Sequence, residues 1–191
     1  MKSCTLVLSL LCWLSACASR QPDHFYVLTM QPQSTHEPMA TPVLPVSLRV
    51  TLPSVVDRSE IVLNTGAQAV IVLEHERWAA PLNDLVTQTL AEDMEQRRRD
   101  VLIAGPSAGS SVPAALKVTV DIVQMSAWKG GRVTVGTHWR IFNARGGQEA
   151  AGGEEFSAPV AQDGYAAIAQ ALSECLALLA DRLVAQMPHP N

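Results

Sequence analysis

Cysteine is scarce in this chain and unevenly placed. Of four, Cys4, Cys12 and Cys17 fall at the very start, and Cys175 is alone in the remainder. Cys4 and Cys12 lie within an N-terminal apolar run, so the body of the chain has no pair from which to build a disulfide framework. Cys175 falls in an alanine- and leucine-rich helical pattern and reads as a small buried hydrophobe. Charge is sparse as well, at 17% of residues with a net charge of −4. No basic face follows from that balance, and nucleic-acid binding has little support. The one basic cluster, Arg97-Arg98-Arg99, ends a predicted helix, where cations complement the helix dipole. Long apolar runs are missing too. The run from Thr5 to Leu14 is about half of the roughly 20 residues that a spanning helix needs, and Arg20, Gln21 and Asp23 follow closely. It does not span a bilayer.

Motifs that carry chemistry are equally short. "GPSAGSS" (105–111) lacks the Gly-Lys-Ser/Thr with which a P-loop reaches phosphate and magnesium. "GPSAG" matches the letters of a nucleophile elbow, yet Pro106 fixes φ where the strained turn would form, and no helical pattern follows. "EHER" brings Glu74, His75 and Glu76 together, but zinc wants histidines one helical turn apart or paired cysteines. His24, His36, His138 and His189 are scattered, and His138 sits beside Arg140 on the polar face of its strand. No catalytic residue, metal or cofactor is expected; the chain does not read as an enzyme.

What is present begins at the N-terminus. Met1-Lys2, a short apolar core and the small residues Ser15 and Ala16 describe a secretory signal. Leu14-Ser15-Ala16-Cys17 resembles the lipobox of bacterial lipoproteins, which implies a diacylglyceryl group on the Cys17 thiol, cleavage before it and acylation of the new amino terminus. Two or more acyl chains, at about 0.8 kcal/mol per buried methylene, give stable anchoring. Ala18-Ser19, rather than an aspartate after the cysteine, resembles the pattern sent to the outer membrane. The expected organisation is a signal peptide over 1–16, a lipidated tether over 17–24 and one domain over 25–188. About 175 residues remain after the signal, enough for one domain with a real core.

Along that domain, "FYVLTM" (25–30) reads as a first strand and "QPQSTHEPMATP" (31–42) as a loop. In "PVSLRVTLP", Val46, Leu48, Val50 and Leu52 alternate with polar residues, as in a half-buried strand. Ile61–Leu63 and Ala69–Leu73 flank "NTGA" as a hairpin, and the second run, apolar on both faces, reads as an interior strand. From Pro81 the period becomes helical. Leu82, Leu85, Val86, Thr89, Leu90 and Met94 form the buried stripe, with Asp84, Glu92, Asp93 and Glu95 outside. "VLIAGP" (101–106) is a short strand. Two alternating strands then meet at "KGGR" (129–132), with Leu116, Val118, Val120 and Ile122 facing Val133, Val135, Trp139 and Ile141 in a long hairpin. "QEAAGGEEFSAPV" is a weaker, edge-like strand. Tyr165, Ile168, Leu172, Leu176, Leu179, Leu183 and Met187 mark a final amphipathic helix. The expected fold is α/β, a mixed sheet with a long hairpin and two main helices packed on it, in a single domain.

Over nearly this whole length the sequence resembles the ABC-type transport auxiliary lipoproteins, the group that contains paraquat-inducible protein C. The resemblance rests on "FYVLTM", "VSLRVTLPSVVDRSEIVL" (46–63), "ERWAAPLNDLVTQTLAEDM" (76–94), "LKVTVDIVQMSAWKGGRVTVGTHWRIFN" (116–143) and "YAAIAQALSECLALLADRL" (165–183). It implies a periplasm-facing outer-membrane lipoprotein serving a transporter of lipids or other hydrophobic cargo, whose inner-membrane permease, ATPase and MCE-domain protein are its partners. A homo-oligomer is compatible with that role. The alternative is a lipoprotein that carries lipid itself, which asks for an apolar cavity between sheet and helix. Trp78, with Arg77 beside it, and Trp128 are the candidate partner-binding residues, since tryptophan and arginine concentrate at interface hot spots. The competing structural role for Trp78 is to staple the first helix to the sheet.

Overall fold

The computed structural model describes residues 21–32, 43–104 and 114–188. The expected signal segment, Cys17, most of the loop expected over 31–42 and "GPSAGSS" (105–111) lie outside the described residues. Eight strands and two helices follow one another among those described. They are β1 (His24–Tyr26), β2 (Leu44–Thr51), β3 (Glu60–Gly66), β4 (Ala69–Trp78), α1 (Leu82–Arg97), β5 (Val101–Ala104), β6 (Leu116–Ala127), β7 (Arg132–Asn143), β8 (Gln148–Pro159) and α2 (Ala166–Gln186).

The strands form two sheets, where the sequence suggested one. The larger has the order β5-β2-β6-β7-β8 and the smaller β1-β4-β3. Both are mixed: β2 runs parallel to β5 and β6, while β6, β7 and β8 are antiparallel neighbours. The β6–β7 hairpin closes at Lys129–Gly131, where Trp128 N–H donates to the Arg132 carbonyl and Gly130 takes φ +66°. That left-handed backbone costs glycine nothing. Val123 is an extra residue in the β6 ladder, so Ile122 keeps its place in the core while Val123 points to solvent.

Alternation settles which strand faces are covered. Val46, Leu48 and Val50 of β2, Val118, Val120 and Ile122 of β6, and Val133, Val135, Trp139 and Ile141 of β7 are all buried. α1 lies over β2 and β5, α2 over β7 and β8, and the helices pack on each other. Ile168, Leu176, Leu179 and Leu183 of α2 are fully buried, and each such side chain contributes about 1.5–3 kcal/mol. Cys175 is buried among them, its thiol donating weakly to the Val133 carbonyl, and burial pushes its pKa up to about 12. Trp139 lies across β8 opposite Gly152 and donates from Nε1 to Gln186 Oε1 at 2.8 Å. A Cβ at position 152 would come within 2.4 Å of that indole. The glycine is therefore what lets the ring pass.

Three expectations fail, each for a physical reason. Of "FYVLTM", only Phe25 and Tyr26 belong to a strand. Beyond it the chain becomes a strap over the helices, with Leu28 buried, Thr29 N–H on Ser173 Oγ and Gln31 N–H on Asp93 Oδ1. Asp93, expected outside, is fully buried, because that backbone donor and Arg97 Nη1, 2.8 Å away, both converge on it. Burial outweighs those contacts and raises the Asp93 pKa. The Ala69–Leu73 run is not an interior strand. It pairs with β3 alone, since β1 reaches only Glu76–Trp78, and Val70 and Ile71 are about half exposed.

The arginine cluster is a structural tie as well as a complement to the dipole. Arg97 bridges Asp93 and Asp181, joining α1 to α2. Arg98, 8% exposed, grips Asp100 with Nε and Nη2 at 3.0 and 2.9 Å and donates to the carbonyls of Met187 and Pro188 at 3.1 and 2.7 Å.

Candidate functional site

Arg77 and Trp78 close β4, where three segments meet. β1 runs parallel beside them in the register Phe25↔Arg77 and Tyr26↔Trp78. Trp78 N–H donates to the Ser59 carbonyl, and Ala79 N–H to that of Tyr26. Alternation sends the two side chains to opposite faces. Trp78 turns inward and is 6% exposed, packed with Leu82, Ile168 and Leu172 around a small apolar cavity. It occupies the staple position between sheet and first helix, and an indole so placed presents almost no area to a partner. Arg77 turns outward. Its Nη2 donates to Ser59 Oγ at 2.9 Å and lies 3.2 Å from Glu60 Oε1, while Arg58 Nε holds Glu60 Oε2 at 3.1 Å. Hydrogen bonds from Arg58 and Ser59 keep the Glu60 carboxyl below its usual pKa. Phe25, Arg58, Arg77 and Pro81 line a shallow groove of about 360 Å³ on this face.

Trp128 does not join that groove. It stands at the end of β6, 36% exposed, beside the hairpin turn. Its neighbour Ala127 donates its N–H to Asn64 Oδ1, and Asn64 lies opposite Val70 in the β3–β4 ladder. Trp128 follows Ala127 and so lies near the β3–β4 tip, where Val70 and Ile71 are exposed on opposite faces of their strand. The structure separates the three sequence candidates: one is in the core, one on the groove, one at the β3–β4 tip. Sequence reasoning missed Phe25, Val70 and Ile71 as surface residues. The available signal was the lack of polar alternation in 69–73, which fits an uncovered apolar patch as well as it fits an interior strand.

The polar clusters act as fasteners. His24 Nδ1 lies 3.0 Å from Glu76 Oε1, Tyr26 OH donates to Glu76 Oε2, and His75 Nδ1 lies 2.9 Å from Asp23 Oδ1. Together they bolt β1 to β4. Burial and the adjacent Glu76 push Tyr26 up to about 12, and the Glu76 carboxyl stays low because the bonds from Tyr26 and His24 outweigh its own burial. Among the described residues no group of three or more histidines, cysteines, aspartates or glutamates is arranged to hold a metal. A second groove, about 430 Å³, runs between β8 and α2 and is crossed by the Arg182–Glu154 ion pair at 2.7 Å. The small apolar cavity beside Trp78 measures about 20 Å³, no larger than one water. No described helix is long and apolar enough to cross a membrane.

The family model of the ABC-type transport auxiliary lipoprotein component matches residues 26–184, from β1 to the last turns of α2. The chain belongs to that family. Membership makes it a membrane-anchored envelope lipoprotein with an auxiliary part in ABC-type transport. The fold has counterparts among solved structures. One, of an uncharacterized protein, superposes with a TM-score of 0.73 at 15% identity, covering 88% of this chain and all of that one. A Xanthomonas campestris protein of the DUF330 family superposes with a TM-score of 0.62 at 15% identity, covering 86% and 91% of the two chains. At that identity the likeness speaks to fold. No curated protein matches the chain.

Proposed function

We propose that this chain is a non-catalytic outer-membrane lipoprotein, acylated on Cys17 and facing the periplasm, that docks the periplasmic tunnel of an MCE-type ABC system moving lipids or other hydrophobic compounds between the two membranes. Family membership over residues 26–184 is the observation that carries this reading. The lipobox-like Leu14–Cys17 and the Ala18-Ser19 that follows support the anchor and its membrane. The docking surface we assign is the β3–β4 tip, where Val70 and Ile71 are exposed, together with Trp128, which follows the Ala127 tied to Asn64 of β3. Tryptophan is enriched among the few residues that dominate interface energetics once a partner desolvates them, and the exposed aliphatics at the tip would add apolar area to bury.

A carrier that holds lipid itself needs a cavity on the scale of an acyl chain, and the apolar cavity beside Trp78 has a volume of only about 20 Å³. The interior therefore favours a scaffold over a container. Crosslinking at native expression followed by purification tests the proposal. An MCE-domain protein, with its permease and ATPase, is the expected catch, and Trp128→Ala with Ile71→Asp should deplete it. Recovery of no MCE-domain protein would overturn the reading. Lipid retained by a form lacking Cys17 would favour the carrier.

A further inference from the structure

Exposed apolar side chains gather where the tether enters the domain. Phe25 is 63% exposed, Val27 55% and Val55 52%. Exposure alternates from Phe25 to Leu28: Phe25 and Val27 face out, while Tyr26 and Leu28 turn toward the core. Val55 belongs to a turn fixed by Val56 and Asp57 N–H groups donating to the Pro53 carbonyl. The turn and the strand are neighbours: Phe25 shares its groove with Asp57, Arg58 and Ser59. The three apolar residues lie outside the core cluster, while the hydrophobes that alternate with them, Tyr26, Leu28 and Val56, pack against it.

We propose that Phe25, Val27 and Val55 form a rim that rests in the headgroup region of the bilayer holding the Cys17 lipid. The inference depends on the acylated Cys17 of the preceding reading. Reach argues for the bilayer as occupant: His24 follows Cys17 by seven residues, which extend to roughly 25 Å at most. An apolar rim kept that close to a membrane meets it at high effective concentration. Charge agrees. Arg58 and Arg77 share Glu60, and Asp57 stands alongside, so the rim is close to neutral and enters a zwitterionic surface without a strong repulsion. Lipid and rim give two points of attachment, and two points fix an orientation. β4 starts at Ala69 beside the exposed Val70 and Ile71 and ends at Trp78 beside the rim, a span of at most roughly 30 Å. Val70, Ile71 and Trp128 are then held off the membrane, toward a periplasmic partner.

The test uses the full lipidated protein in vesicles of phosphatidylethanolamine and phosphatidylglycerol, brominated at the headgroup end of the acyl chains. An environment-sensitive fluorophore is placed in turn on Phe25→Cys, Val55→Cys, Val70→Cys and Leu178→Cys; native Cys175 is buried and does not compete for label. Bromine quenching several-fold stronger at positions 25 and 55 than at 70 and 178 is expected. Equal quenching at all four sites, on protein whose mass shows an acylated Cys17, would overturn the rim and leave the anchor standing. An unmodified Cys17 would bring down both. A probe at position 25 shielded from water yet untouched by bromine would mean that protein covers the patch, a partner or a second copy, and would overturn the proposal too.

Discussion

Arg98→Ala separates two accounts of the arginine cluster. If the cluster only complements the dipole of α1, removing one cation costs about 0.3–1 kcal/mol, and the effect fades in salt. The structure demands more. Arg98 makes four hydrogen bonds from a site 8% exposed, two to the Asp100 carboxylate and two to carbonyls at the end of α2. Truncation leaves a poorly solvated carboxylate and two acceptors without their donor, and breaking a buried pair from one side costs roughly 3–5 kcal/mol. For a domain of this size that is a fall in Tm of about 10 °C. Arg98→Lys sharpens the comparison: it keeps the charge that the dipole needs but loses the planar fork, and should lose more than about 1 kcal/mol. Urea titration of both variants, at low and at high salt, measures the loss. A loss below 1 kcal/mol for Arg98→Ala, or an Arg98→Lys variant as stable as the parent, would refute the reasoning.

Gly152→Val should destabilise by several kcal/mol, because the new side chain and the Trp139 indole claim the same space; a Tm within a degree of the parent would contradict the packing. Native Cys175 should resist alkylation at pH 8 and react only after unfolding, as mass shift against denaturant would record. Asp93 has a folded pKa above its unfolded one, so its contribution to stability is full below the unfolded pKa, near 4, and is withdrawn as pH rises through the folded value. Urea midpoints of Asp93→Asn relative to the parent should accordingly improve as pH climbs from about 3.5 to 6; a flat difference would count against a raised pKa.

Much of the fold was legible because two periods dominate the chain. The alternation in β2, β6 and β7 and the three- and four-residue steps in α2 each describe one buried face, and those faces are the core. Period says nothing about what lies beyond the element, however. Asp93 falls at an α1 position that composition assigns to solvent, and the strap at Gln31, 62 residues away, joins Arg97 in holding it inside. Ala69–Leu73 belongs to the middle strand of its sheet, but the three-residue β1 reaches only Glu76–Trp78 and leaves the run without a second neighbour, which no local window contains. The site was legible in part for the same reason. Trp78 and Trp128 look alike as tryptophans at element ends, and the direction each side chain takes, into the core or beside the β3–β4 tip, is set by the twist and pairing of β4 and β6.

The parallel docking of β1 on β4 has a mechanical consequence. Whatever tugs on the leash pulls at the leading end of β1, along the strand rather than across it. The ladder to β4 and the clasps of His24 and Tyr26 on Glu76 are then strained all at once, in shear, instead of opening one by one like a zip. A three-residue strand can in this way hold the domain against a pull applied from its N-terminal side.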